Sequence, residues 1–374
     1  MRMLKLLLLS FSTLTVAVMI EAATPSTSSP ITLSGAVARP GPVDAALAQG
    51  LPRYRRLVKL AGIDGHYRGT VEVEGYALRD LLDRAEVKKK VDDGFNRPLD
   101  TFITVKGRQA EALISYGEAF LAADGGPLLA DSARLILPHH HDPIVAGEND
   151  PTAFKSVAER DRVNLQSCAT CHTGSKLLPL SLPRGWLLVV PADPFGGRFV
   201  EGVTEVEVHQ VGIAVKADRK SADTALVDVP VLVGPDSKQS PLTVERYQQL
   251  ASQSWSDATF GQGMGFHGLS TWQGVDLGTL LRPLVPPTTD PRSLWVLITA
   301  ADGYRSVFSG GEVFSAQEGK GVMLAIRKNG EPLGPGSGRY NIVSKTDFYI
   351  DRSVKMVQEI RVGLLQQNRT QQQH

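Results

Sequence analysis

The chain contains one strand pattern twice, and this repeat restricts its fold more than any other feature. Residues 198–208 read RFVEGVTEVEV and residues 352–362 read RSVKMVQEIRV, and the two stretches align without a gap. Each ends in an alternation of apolar and polar residues, which is the pattern of a strand with one buried face. Self-similarity at this separation predicts two copies of one strand-rich unit.

The similarity extends upstream of these strands. Residues 75–82 read GYALRDLL and residues 274–281 read GVDLGTLL, and the leucine spacing of both predicts a short amphipathic helix. An apolar strand follows in each copy, at 102–105 and at 295–298. A polar hairpin is then predicted, which ends at Gly117-Glu118 in the first copy and at Gly311-Glu312 in the second.

These patterns predict an α+β protein made of two tandem copies of a mixed, strand-rich unit. The first copy is predicted at residues 31–210, a linker at 211–227, the second copy at 228–365 and a polar tail at 366–374. The composition agrees, because glycine (36) and proline (23) are plentiful and aromatic residues make up only 6%. Many turns and short strands fit that composition better than a helical bundle does.

The two copies differ in length. Gly75 and Arg198 are 123 positions apart, whereas Gly274 and Arg352 are 78 positions apart. The additional residues of the first copy are assigned to an insertion at 139–184. Insertions of this kind are tolerated in loops, and loops often carry functional groups that a packed core cannot hold.

The insertion holds both cysteines of the chain, Cys168 and Cys171, with His172 directly after them. Cys-x-x-Cys-His is the spacing of a c-type haem attachment site, in which both thiols bond the porphyrin and the histidine binds iron. A disulfide or redox dithiol is the second interpretation. Zinc bound by these cysteines and by histidines of the insertion is the third.

A haem iron bound by His172 has a sixth coordination position. The insertion also contains His139, His140 and His141, followed by an aspartate that could orient one imidazole. One of the three is the candidate distal ligand, and a solvated hairpin tip is the alternative for this cluster. Met264 and His267 are weaker candidates.

The second copy resembles the molybdopterin-binding domain of the sulfite oxidase family, and the first copy resembles it more weakly. The matching motifs are W-x-G-V-x-L-x-x-L-L at 272–281, A-x-D-G-Y at 300–304, N-G-x-P-L at 329–333 and the closing I-x-V at 360–362. The resemblance implies a mixed α+β fold built on β-sheets. It also implies an oxidoreductase with a molybdenum cofactor as the family's activity.

Catalytic members of that family ligate molybdenum through a cysteine a short way upstream of the W-x-G-V motif. In this chain that stretch reads GQGMGFHGLSTWQGV, without cysteine, and the corresponding stretch of the first copy has none. Thiolate is the soft donor that such a metal prefers. Both copies are therefore predicted to be scaffolds without catalytic molybdenum, and a bare pterin pocket is kept as the alternative.

The N-terminus predicts export. Residues 1–23 carry two early basic residues, an apolar stretch and small residues suited to cleavage, which is the pattern of a signal peptide. Residues 24–30 are then a flexible leader, and no stable membrane span is expected after cleavage. Lys plus Arg (40) balances Asp plus Glu (39), so the chain lacks the basic surplus of nucleic-acid-binding proteins.

The prediction is an exported, periplasmic or secreted, mono-haem c-type cytochrome that transfers electrons to or from a periplasmic partner protein. The alternatives are a periplasmic molybdopterin-dependent oxidoreductase and a non-redox binding module whose cysteines form a disulfide or zinc clip. The sequence leaves open whether the chain is an enzyme, and it makes no prediction of oligomeric state.

Overall fold

A computed structural model gives the fold of this chain. It describes residues 30–61, 67–89, 94–137, 185–193, 197–213, 215, 229–263, 265–315, 321–334 and 336–365. We call the described residues up to 215 the first half and those from 229 onward the second half. No helix within these ranges is long and apolar enough to cross a membrane.

The first half begins with short strands and alternates strands with short helices. Its elements are β1 (Ile31–Gly35), β2 (Gly41–Val43), α1 (Ala45–Ala48), β3 (Tyr54–Ala61), β4 (Tyr67–Ala77), α2 (Leu78–Ala85), a 3₁₀ helix (Pro98–Asp100), β5 (Thr101–Lys106), β6 (Glu111–Ser115), α3 (Tyr116–Phe120), β7 (Leu128–Leu137), β8 (Leu187–Val189), β9 (Val200–Glu201) and β10 (Glu205–Gln210).

The second half is built in the same manner. Its elements are β11 (Val231–Val233), β12 (Gln239–Pro241), α4 (Val244–Gln248), β13 (Ser252–Gly261), β14 (Gly265–Asp276), α5 (Leu277–Leu281), 3₁₀ helices at Arg282–Leu284 and Pro291–Ser293, β15 (Leu294–Ala300), β16 (Arg305–Ser309), α6 (Gly310–Phe314), β17 (Val322–Lys328), β18 (Glu331–Pro332), β19 (Asn341–Ser344), a 3₁₀ helix (Ile350–Arg352) and β20 (Val357–Leu364).

One five-stranded sheet of the first half has the strand order β2-β1-β10-β5-β6. Its strands β1 and β10 are parallel, and the other neighbouring strands are antiparallel. The alternation predicted for β10 is present: Val206 and Val208 are buried in the core. On the other face, Lys106 of β5 forms ion pairs with Glu205 at 2.6 Å and Glu207 at 3.3 Å.

A five-stranded sheet of the second half has the order β12-β11-β20-β15-β16. Here β11 and β20 are parallel, with Leu232 opposite Ile360. All seven residues of β15 are buried, because one face packs on the core of the second half and the other on the first half. Strands buried on both faces carry continuous apolar runs, as this one does.

Each half has a second sheet that contains its longest strands. The order is β3-β4-β7-β8-β9 in the first half and β13-β14-β17-β18 in the second, where β19 also pairs with β17. The strands β4 and β14 run directly into the helices α2 and α5. The W-x-G-V-x-L-x-x-L-L motif at 272–281 therefore starts within β14 and ends in α5.

The predicted helix at residues 75–82 is present but begins at Leu78, because Gly75 still belongs to β4. Its buried residues are Leu78, Leu81, Leu82 and Ala85, and this spacing places them all on one face. The equivalent helix α5 begins after Asp276, whose carboxylate accepts a hydrogen bond from Thr279 N at 2.7 Å. Both helices pack their leucines into the core of their own half.

The hairpins predicted as polar differ from that prediction. The closing strand β16 is buried at all five positions, and β6 is buried at four of five. The reason is that β6 and β16 pack against each other where the two halves meet. An apolar cluster completes this contact, with Phe102 and Leu113 from the first half and Trp295 and Val307 from the second.

Candidate functional site

The residues predicted to bind haem lie outside the described residues. These are Cys168, Cys171 and His172, the candidate ligands His139, His140 and His141, and also Met264. His267 is described and lies exposed on β14. These assignments therefore stay predictions.

The described residues place a large buried polar cluster between the two halves. The helices α3 and α6 begin there, each after a serine that caps its N-terminus: Ser115 accepts from Glu118 N at 3.0 Å and Ser309 accepts from Glu312 N at 3.2 Å. Ser-x-x-Glu is the capping-box pattern, and Ser309 with Glu312 forms the complete reciprocal pair. The local sequence thus places two serines and two glutamates at the contact between the two halves, which we call the junction.

Arg198 is the central cation of the first half. Its side chain is 2% exposed, and the guanidinium lies between two carboxylates. Nη1 and Nη2 donate to Glu118 at 2.7 and 2.5 Å, while Nε and Nη2 donate to Asp193 at 3.0 and 2.5 Å. Nη1 also donates to Ser309 of the other half at 2.8 Å. Paired hydrogen bonds of this type fix a guanidinium in one orientation.

Arg352 occupies the equivalent position in the second half and is fully buried. Its Nη1 lies 2.6 Å from Glu312, its Nε donates to Asp347 at 2.8 Å, and Nη2 also binds Asp347. Nη1 donates to Ser115 of the first half at 2.8 Å. Each arginine therefore binds two carboxylates of its own half and the capping serine of the other half.

The two serines connect the carboxylates across the junction. Ser115 Oγ donates to Glu312 Oε2 at 2.7 Å, and Ser309 Oγ donates to Glu118 Oε2 at 3.0 Å. Oε2 of Glu312 lies 3.1 Å from the same Ser309 oxygen. The two glutamates from opposite halves are therefore no more than two hydrogen-bond lengths apart.

Two glycines leave space for the arginine side chains. A Cβ built on Gly311 would lie 2.6 Å from Cδ of Arg198, and one built on Gly117 would lie 2.6 Å from Nε of Arg352. Real Cβ atoms essentially never approach a neighbour this closely. Glycine is therefore required at the second position of both helices.

The cluster pairs two guanidinium groups with four carboxylates. Burial raises the pKa of Glu118 to about 7, even though Arg198 acts in the opposite direction, and the neighbouring Glu312 and Asp193 raise it further. Burial also raises the pKa of Asp347 above its ordinary value, against the effect of Arg352. Buried carboxylates that outnumber their cations favour retention of a proton.

A cavity of about 360 Å³ borders this cluster. Its polar walls include Glu118, Asp124, Asp193 and Arg198, and apolar residues such as Val190 cover other parts of it. The volume lies within the range of small-ligand sites. The described wall is acidic, because the side chain of Arg198 is already bound by two carboxylates.

A second buried ionic group lies at another part of the junction. Asp100 of the first half accepts from Lys89 Nζ at 2.8 Å and from Arg305 Nε of the second half at 2.7 Å. Both cations also contact the ring of Phe95, which packs edge-on against Tyr304 at 5.4 Å. Tyr304 is the tyrosine of the A-x-D-G-Y motif, so this motif residue packs in the junction.

Comparison with known proteins finds a family match in the second half. Residues 243–371 match the family model described as the oxidoreductase molybdopterin binding domain. A comparison with curated proteins found no match. Among solved structures, the sulfane dehydrogenase SoxCD from Paracoccus pantotrophus is similar at 18% identity, with 59% of each chain covered and a TM-score of 0.29. That alignment spans less than two thirds of the SoxCD chain, and its score is too low to support an argument.

The matched domain lacks the donor that its cofactor's metal would need. The chain has two cysteines, at 168 and 171, so residues 243–371 contain none. In the described part of the stretch before the W-x-G-V motif, Ser270 is a buried polar residue, and its hydroxyl accepts from Thr259 at 3.2 Å. A hydroxyl held in this way does not replace a soft thiolate.

The space beside this stretch is also too small. A cavity of about 20 Å³ lies between β13, β14 and the segment 343–353 and is lined by residues such as Trp255, Phe260, Trp272 and Tyr349. That volume holds about one water molecule, whereas a small-ligand site has roughly 300–1,000 Å³. The larger cavity at the junction has an acidic wall, which disfavours a cofactor that carries a phosphate. The described residues therefore do not fit a bound molybdenum cofactor.

Proposed function

We propose that this protein is a redox protein built on the molybdopterin-binding domain of oxidoreductases, and that it works in electron transfer. The observation that carries the class is the family match of residues 243–371. This match supports the enzyme alternative, a molybdopterin-dependent oxidoreductase, more directly than it supports a cytochrome. We nevertheless favour electron transfer, because the described residues of the matched domain offer molybdenum neither a thiolate nor a cavity of sufficient size.

We further propose that the first half is a second, more divergent copy of the same unit. Three observations support this: the strand orders β2-β1-β10-β5-β6 and β12-β11-β20-β15-β16 correspond one to one, the parallel pair is the same in both, and Arg198 and Arg352 have equivalent partners. In this proposal the copies meet through β6, α3, β16 and α6. The domain has then become a scaffold.

The redox group in this proposal is one haem c on the insertion. Its support is the sequence motif Cys168-x-x-Cys171-His172, which is the attachment pattern for covalent haem. His172 is the proposed proximal ligand, and a histidine of 139–141 the proposed distal one, with Met264 and His267 as the alternatives. An N-terminal export signal supports a periplasmic location, where c-type haem is attached, and a redox partner protein in the same compartment.

The experiment is expression of the full chain, with its own N-terminus, in a host that both matures c-type haem and makes molybdenum cofactor. We expect an absorption spectrum with a Soret band that survives denaturation, an intact mass increased by one haem, and no stoichiometric molybdenum. The variant with Cys168→Ala and Cys171→Ala is expected to lose the covalent haem. Ser167→Ala, directly before the motif but outside it, is the matched control and is expected to keep it.

Each other outcome selects an alternative. Molybdenum at one equivalent per chain would establish the molybdopterin-dependent oxidoreductase and contradict the scaffold proposal. A colourless protein of unmodified mass that lacks molybdenum would favour the non-redox binding module. Covalent haem in the double cysteine variant would show that the attachment site was assigned to the wrong residues.

A further inference from the structure

The junction between the two halves holds like charges close together in a buried place. Glu118 comes from the first half and Glu312 from the second, and their Oε2 atoms lie 3.0 and 3.1 Å from the one hydroxyl oxygen of Ser309. Two carboxylates that share a buried site do not both ionise readily, so one tends to keep a proton. Repulsion between these two groups would act directly across the junction.

The surrounding charges do not remove this repulsion. The groups that face Glu118 are Arg198, Asp193 and Glu312, with Asp124 on the cavity wall, and the groups that face Glu312 include Arg352 and Asp347. Among the described residues, each arginine neutralises one of its two carboxylates. The fully ionised cluster would therefore carry two uncompensated negative charges in a buried environment, which is costly.

The same groups hold the halves together. Four hydrogen bonds cross the junction within the cluster: Arg198 to Ser309, Arg352 to Ser115, Ser115 to Glu312 and Ser309 to Glu118. The cavity of about 360 Å³ opens beside them and gives solvent a short route to the glutamate. Loss of a proton here would leave the contacts in place but add repulsion between the two elements that make them.

We propose that this junction is a proton-dependent contact: a proton held on Glu118, beside Glu312, keeps the two halves closed around the cavity, and its release loosens them. The device is independent of the redox group proposed above, because none of its residues is a proposed haem ligand.

The direction and size of the effect follow from the titration of Glu118. The closed junction raises its pKa from the ordinary 4.5 to about 7. A carboxyl whose pKa is raised by closing contributes stability that is fully present at low pH and is lost as the pH rises from about 4.5 to about 7. The opening equilibrium should rise at most about 300-fold over the whole range, and roughly 70-fold between pH 5 and pH 8.

The test is native-state amide hydrogen exchange on the full chain at pH 5, 6, 7 and 8, corrected for the intrinsic exchange rate at each pH. We expect the protection of the amides of α3 and α6 to fall roughly 70-fold from pH 5 to pH 8. The amides of β4 and β14 should change far less. Glu118→Gln should abolish the dependence, and Glu331→Gln, on the exposed strand β18, should retain it.

Glu312→Gln provides an independent test if Glu118→Gln does not fold. The glutamine still allows a capping box, of the Ser-x-x-Gln form, but it removes the negative charge next to Glu118. It should therefore move the transition to lower pH and reduce its amplitude, a change that a purely structural role would not cause. Equal protection of the wild-type junction at pH 5 and pH 8 would overturn the proposal. An equal loss of amide protection in β4 and β14 would also overturn it, because the proton would then stabilise the whole fold and not the junction in particular.

Discussion

Gly311 offers a stringent test of how tightly the junction is packed. It lies at the second position of α6, where the guanidinium of Arg198 passes over the helix backbone. In Gly311→Ala the new Cβ would lie 2.6 Å from Cδ of Arg198 and overlap its Nε and Cζ. The arginine cannot move aside freely, since Glu118 and Asp193 hold its donors and only 2% of it is exposed.

The magnitude follows from two ways of relieving the overlap. If the helix shifts, overpacking costs about 1–3 kcal/mol. If the arginine shifts instead, it leaves buried carboxylates without their cation, and breaking a buried ion pair costs about 3–5 kcal/mol. We therefore expect Gly311→Ala to lower the free energy of unfolding by about 3 kcal/mol, near the crossover of the two routes.

The assay is urea unfolding followed by tryptophan fluorescence, with the slope m compared between variants. Gly212→Ala is the matched control, because Gly212 is exposed and a Cβ there meets nothing within 4 Å. That control should change stability by less than about 1 kcal/mol. If Gly311→Ala unfolds at the same urea concentration as the wild type with the same slope, the assigned packing of Arg198 over α6 is wrong.

Three further substitutions probe the same structure. Arg352→Lys should lower the free energy of unfolding in urea by about 3 kcal/mol, because lysine cannot reproduce the hydrogen bonds to Asp347 and Ser115. Its control is Arg361→Lys, in a part-exposed ion pair, which should lower it by less than about 1 kcal/mol. Equal losses in the two variants would contradict the assigned difference in burial. Ser309→Ala removes the cap of α6 and should lower the free energy of unfolding by about 2 kcal/mol. A melting temperature unchanged from the wild type would argue against a hydroxyl that both caps α6 and binds Glu118. Phe266 is 59% exposed, so Phe266→Ser should change the free energy of unfolding by no more than about 0.5 kcal/mol. A large fall in the melting temperature would show that the ring is covered.

The sequence predicted the regular elements well where a repeated pattern described them. The helix at Leu78–Ala85 and the strand at Leu294–Ala300 follow from leucine spacing and from an apolar run, and they overlap the predicted stretches 75–82 and 295–298. The helix start was less well placed, because Gly75 remains in a long strand. The polar character assigned to the hairpins was wrong for β16, since its burial depends on contact with the other half and not on its own pattern.

The candidate site at the junction was only partly visible in the sequence. The alignment already placed Gly117-Glu118 opposite Gly311-Glu312, and Ser-x-x-Glu is a capping pattern that could have directed attention to both serines. The alignment also matched Arg198 with Arg352, and the structure shows that both form buried ion pairs. Their exchange of partners between halves could not be derived, because no local pattern encodes which surfaces meet.

The parallel strand pairs affect how this protein can fold during its synthesis. Thr32 on the first strand pairs with Glu205, and Leu232 pairs with Ile360, so each sheet is closed by a strand that leaves the ribosome long after its partner. The first sheet can form while the second half is still being made, whereas Ser115 must wait for Arg352, which lies 237 positions later. Long-range closures of this kind are slow and leave edges exposed. The nascent first half would therefore present the carboxylates of its unfinished junction to water until the second half has been made.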